Sequence, residues 1–197
     1  MSGNRREFIK SGGAIAAGLI TAPVIVAGMD TDNKLKIEPS KTSSKDDFNF
    51  YPGNWEIRVE RLAKRFQNSK EWLEYRATEE IRPILNGLGF VGQFRQTIDG
   101  NTYEGMALHL FDPATKLWSN YWADSDRGFL EPPVIGSFDG KGGTFYGRDT
   151  FENKSIDVLY KWDVTDRNNP VWSQAFSRDA GKTWETNLIM RYGSVKR

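Results

Sequence analysis

The sequence predicts an all-β fold, an antiparallel up-and-down barrel of about ten strands, preceded by an export signal and a flexible linker. Three observations carry this expectation. Apolar and polar residues alternate with period 2 in segment after segment between Trp55 and Tyr192. Turn residues separate these segments at short, even intervals. Aromatic residues make up 13% of the 197-residue chain, which excludes disorder throughout and supplies large side chains for a core. A meander this long hides its edges best by closing on itself.

Taken in order, residues 1–28 read as an address. Asn4-Arg5-Arg6-Glu7-Phe8-Ile9-Lys10 is basic, and Gly12 to Gly28 follows as an uncharged run of small and apolar residues. This is the layout of a bacterial export signal. Arg5, Arg6, Phe8 and Lys10 resemble the twin-arginine signal, which implies the twin-arginine export machinery as a partner and a periplasmic or otherwise extracytoplasmic location. Asn4 stands where that pattern usually has Ser or Thr. The apolar run is broken by Gly and Pro23 and falls short of the roughly 20 strongly apolar residues a spanning helix needs, so no stable membrane span is expected in the mature chain. Residues 29–49, rich in Lys, Asp, Ser and Thr, read as a flexible linker that cannot bury enough surface to offset its ordering entropy.

Residues 50–197 hold the barrel. Trp55 to Glu60 alternates without error, and two further strands are expected around Trp72–Ile81 and Gly89–Thr97. Met106–Phe111, Leu117–Asp124, Val134–Phe138 and Thr144–Phe151 come next, then Ile156–Asp163, Val171–Ser177 and Trp184–Tyr192. Between them lie Asp112-Pro113, Asp139-Gly140-Lys141-Gly142-Gly143, Glu152-Asn153-Lys154 and Asp179-Ala180-Gly181, all turn formers. Residues 60–72 are compatible with a helical turn or two. Ser177-Arg178-Asp179-Ala180-Gly181-Lys182-Thr183-Trp184 matches the Asp-box pattern once, and a single copy reads as a hairpin staple, not a propeller.

Gly53-Asn54-Trp55 opens the first strand with the Gly-x-Trp entry motif of lipocalin-like barrels, where the Trp closes one end. An ordered set follows: Leu85-Asn86-Gly87, Leu110 to Thr115, Trp118 to Asp124, Pro132 to Phe138, Phe145 to Asp149 and Gln174 to Asn187. Together these resemble a bacterial family similar to the calycin superfamily of lipocalins, fatty-acid-binding proteins and nitrobindin-like haem barrels. The resemblance implies a β-barrel around an internal site and is nearly silent on activity.

Composition narrows the chemistry. No Cys means no disulfide, thiol nucleophile or thiolate metal site, and a single His excludes a two-His metal site within one chain. The balance of 27 basic against 26 acidic residues argues against nucleic acid as a partner. His109, the candidate haem ligand that the nitrobindin-like resemblance implies, alternates with Met106, Leu108 and Leu110, so it is expected on the outside and haem is not predicted. Glu79 and Glu80, adjacent on a strand, point to opposite faces and cannot work as a pair, and Asp124 to Arg127 reads as a solvated loop.

Ligand-binding candidates are aromatic residues alternating with amides or standing beside arginine. Trp118, Asn120 and Trp122 share one strand face, as do Trp172 and Gln174. Tyr146 and Arg148 are the further candidates, Arg148 as a clamp for an anionic group. The expected partner is a small hydrophobic or amphipathic molecule. The rival readings are an enzyme of isomerase, cyclase or lyase type in the same cavity, and a fully packed structural or partner-binding envelope protein. A lumen above about 300 Å³ separates the first two from the third. A titratable residue without a partner inside it separates enzyme from carrier.

Overall fold

The computed structural model describes residues 28–29 and 35–194. Ten strands form a closed antiparallel barrel: β1 (Gly53–Leu62), β2 (Trp72–Ile84), β3 (Gly89–Ile98), β4 (Asn101–Asp112), β5 (Leu117–Asp124), β6 (Val134–Asp139), β7 (Gly142–Phe151), β8 (Lys154–Asp163), β9 (Val171–Ser177) and β10 (Glu185–Ser194). Each strand pairs with its sequence neighbours, and β10 closes on β1 from Leu188↔Arg61 to Ser194↔Trp55. The architecture is compatible with a calycin-like fold. A two-residue ladder joins Gly28–Met29 to Leu35–Lys36 ahead of the barrel, and among the described residues no helix is long and apolar enough to cross a membrane. Arg5, Arg6, Phe8 and Lys10, expected from the sequence to form an export signal, lie outside the described residues.

All ten expected strands form. The helical alternative for residues 60–72 does not: β1 runs through Leu62, and a turn containing Phe66 (φ 57°) and Asn68 (φ 53°) leads into β2. The Asp-box segment is a hairpin staple. Asp179 accepts from the Thr183 amide (2.9 Å), the Thr183 hydroxyl (2.6 Å) and the Ser177 hydroxyl (2.7 Å). Those bonds hold its carboxyl well below the usual range.

One end of the barrel is plugged by the segment that precedes β1. Phe48 is fully buried, and its ring centroid lies 4.8 Å from Trp118, 4.8 Å from Phe138 and 4.7 Å from His109. Phe50 and Tyr51 complete the plug, and the Trp55 indole N–H donates to the Tyr51 carbonyl (2.8 Å). Polar residues fasten the segment to the rim: Ser43 Oγ donates to the Lys116 carbonyl (2.9 Å), and the Ser40 amide donates to Ser137 Oγ (2.9 Å). The Trp118 indole N–H reaches the Ser44 carbonyl and Asp47 Oδ2, each at 3.2 Å. The expectation of a flexible linker over 29–49 is therefore corrected for residues 40–49. Their composition is that of a tether, but Phe48 anchors them in the core and short hydrogen bonds order the rest.

At the other end the β5–β6 connection is structured, not a solvated loop. Asp124 is buried and accepts from the Tyr103 hydroxyl (3.1 Å), the Trp122 indole N–H (3.3 Å) and the Asp126 and Arg127 amides. The Arg127 guanidinium bridges Asp124 and Glu131. This brace lets β5 and β6 part after only three residue pairs, Trp118↔Gly136 to Asn120↔Val134.

Candidate functional site

Between plug and brace lies a lumen of about 170 Å³. Four of the seven expected ligand-binding residues line it: Asn120 and Trp122 from β5, and Trp172 and Gln174 from β9. Trp122 lies across Gly105 of β4, where any Cβ would collide with the indole. Gln174 Nε2 donates to Oδ1 of the fully buried Asn187 (2.7 Å), so its amide is anchored.

The other three expectations are corrected. Trp118 points inward but is consumed by the plug and does not line the lumen. Tyr146 and Arg148 alternate with the buried Phe145 and so lie on the outer face of β7. Tyr146 packs against Trp184 (6.3 Å between centroids), and Arg148 Nε lies 3.4 Å from Asp157 Oδ1 on β8.

His109 is also corrected: it faces inward, and the outer row of β4 is the apolar one, with Met106 38% exposed. The inner row (Gly105, Ala107, His109) is small or polar because Trp122 and Phe48 fill the space beside it. His109 Nδ1 and Asn120 Oδ1, opposite each other on β4 and β5, are 2.7 Å apart. Burial holds the imidazole neutral, lowering its pKa to about 4 against the opposing effect of the Asn120 bond. Since Oδ1 only accepts, the proton sits on Nδ1 and Nε2 carries a lone pair.

Glu79 and Glu80 do point to opposite faces and form no pair, but Glu79 by itself faces the lumen. Leu73, Ala77 and Ile81 are the buried row of β2, and Glu79 continues that row into the lumen at 3% exposure. That apolar row was the signal available in the sequence. Glu79 Oε2 accepts from the Tyr51 hydroxyl (3.0 Å) and the Tyr192 hydroxyl (3.2 Å). Burial raises its pKa to about 7, although both phenol bonds pull it down. A Cβ at Gly92 would stand 2.5 Å from Oε1, so the glycine makes room for the carboxyl.

Several buried polar atoms lining the lumen have no partner among the described residues: the donors Asn120 Nδ2, Gln96 Nε2 and Trp162 Nε1, and the acceptor His109 Nε2. Each such group costs on the order of 1–3 kcal/mol when left unmade, and a bound molecule recovers it. Arg61 and Arg65, each 9% exposed, add positive charge toward the braced end.

The lumen is too small for haem, a group larger than ligands that need about 300 Å³ or more. Among the described residues no group of three or more His, Cys, Asp or Glu side chains is placed to hold a metal ion. No protein-family model matches the chain, and no curated protein matches it.

Proposed function

We propose that this is an exported binding protein whose lumen holds one compact molecule with an apolar body and a polar edge. The observation that carries the reading is the set of unpartnered polar atoms, His109 Nε2, Asn120 Nδ2 and Gln96 Nε2, on residues that line a largely apolar, aromatic-rich cavity. Volume limits the occupant. At about 170 Å³ the lumen falls below the roughly 300 Å³ of a drug-sized pocket, but it matches engineered cavities of about 150 Å³ that take up benzene. A single ring or a short chain fits, and a long acyl chain does not. The volume alone falls on the packed side of the roughly 300 Å³ mark, and it is the unpartnered polar atoms that count against the purely structural alternative. The calycin-like resemblance supports an internal site, and the Arg5-Arg6 segment supports export.

The test is native mass spectrometry of protein recovered from its own cell envelope, followed by titration of its tryptophan fluorescence. Trp122, Trp162 and Trp172 line the lumen, so a bound ring changes their emission. A retained small mass, lost in a variant with Asn120→Leu, is the expected result. Recovery of the bare chain, together with unchanged emission across a panel of ring-sized ketones, phenols and lactams, would overturn the reading.

A further inference from the structure

We infer that the lumen is also a proton-transfer site, in which Glu79 isomerises a small β,γ-unsaturated ketone to its conjugated isomer, with Asn120 holding the ketone oxygen. This rests on the lumen binding a ring-sized molecule. Three features of the geometry support it. Glu79 is almost fully buried and lines the lumen. Both phenol hydrogen bonds go to Oε2. Oε1 makes no hydrogen bond among the described residues and lies beside Gly92 of β3, whose missing side chain leaves the carboxyl its room. Asn120 Nδ2 and Gln96 Nε2 supply unpartnered N–H donors, the groups that stabilise charge developing on an oxygen.

The step balances without a co-reactant. The Glu79 carboxylate takes a proton from the carbon between the carbonyl and the double bond, and that C–H electron pair becomes the new π bond of a dienolate. Charge collects on oxygen against the Asn120 amide. The protonated carboxyl then returns the proton to the γ carbon, the double bond moves into conjugation, and Glu79 is again a carboxylate. Tyr51 and Tyr192 are positioning residues that fix the carboxyl orientation. A carboxyl that titrates near neutrality is suited to both halves of the cycle. The groups facing it are the two phenols, and the other ionisable residues lining the lumen are His109, Arg61, Arg65, Tyr103, Tyr121 and Tyr160.

The probe is cyclohex-3-en-1-one, which fits the volume, with the conjugated product followed by its ultraviolet absorbance. Binding is read separately by tryptophan quenching. The expected result is quenching by the ketone with both wild type and Glu79→Gln, whose amide oxygen can still accept the phenol bonds. Turnover by the variant falls at least about a hundredfold. The wild-type rate rises with pH through about 7, and Tyr51→Phe, which removes a bond that lowers the Glu79 pKa, moves that rise to higher pH. Quenching without turnover above the buffer rate, or equal turnover in Glu79→Gln, overturns the inference and leaves the binding reading intact. Absence of quenching by the ketone overturns the inference, while a small mass retained from the envelope would still uphold the binding reading.

Discussion

Two buried groups of opposite tendency give the fold a pH signature that single substitutions unmask. Glu79 moves from an ordinary 4.5 up to about 7, and His109 from 6.5 down to about 4, both chiefly by burial. Between about pH 4.5 and 7 the folded protein keeps a proton on Glu79 that the unfolded chain has released. That contribution is complete below 4.5 and is lost as pH rises through 7. Between about pH 4 and 6.5 the unfolded chain carries a proton on the imidazole that the folded protein excludes. That contribution is complete above 6.5 and is lost as pH falls toward 4. Each shift corresponds to about 3 kcal/mol, at about 1.4 kcal/mol per pH unit, so the two slopes cancel from about pH 4.5 to 6.5. Glu79→Gln leaves the imidazole slope alone, and stability relative to wild type then climbs by about 3 kcal/mol across that window. His109→Gln leaves the carboxyl slope, and the difference runs the other way. Urea unfolding at a series of pH values measures both, and subtracting the wild-type curve removes the contribution of carboxylates such as Asp124 and Glu60, held low by Arg127 and Arg191. Variant and wild-type curves that stay parallel from pH 4.5 to 6.5 would refute the assignment of both groups to the dry interior.

Phe48→Ala removes a fully buried ring from the plug and is expected to cost about 3–5 kcal/mol in urea unfolding, whereas Lys45→Ala, in an exposed ion pair, costs less than about 0.5 kcal/mol; similar small losses would return residues 40–49 to the status of a tether. Gly105→Ala drives a methyl group into the Trp122 indole, and thermal unfolding should show a loss of about 1–3 kcal/mol with a change in tryptophan emission. Replacing Arg5-Arg6 with Lys-Lys is expected to strand the full-length protein in the cytoplasm, as read by fractionation, while leaving its fold unaltered.

The strands were legible because period-2 alternation and turn residues are local signals. Even there, β4 begins at Asn101, five residues before the expected Met106, because Thr102 and Tyr103 alternate less clearly. Inside and outside were harder. On β2 the row Leu73, Ala77, Ile81 pointed correctly inward and would have carried Glu79 with it. On β4 the more apolar row, Met106, Leu108 and Leu110, is the outer one, and reading it as core placed His109 on the wrong face. Hydrophobicity marks the lumen side of a strand only when that side is filled by the strand's own side chains. Here Phe48 and Trp122, from elsewhere in the chain, fill it. Tyr146 and Arg148 failed for a related reason: the motif around them identified the strand but not its register.

The two polar groups of the lumen also differ in how the chain assembles them. His109 and Asn120 face each other across one hairpin, eleven residues apart, so their contact costs little loop-closure entropy. Glu79 meets Tyr51 from the plug, 28 residues away, and Tyr192 from the closing strand, 113 residues away. Its second phenol bond therefore exists only once β10 has docked on β1, the longest-range pairing in the barrel and the step topology places late. A substitution that weakens this seam from outside the lumen, such as Ile189→Gly opposite Glu60, should change the titration of Glu79 while leaving the His109–Asn120 pair undisturbed. The environment of Glu79 thus reports on barrel closure, because its two phenol partners come from segments at opposite ends of the folded sequence.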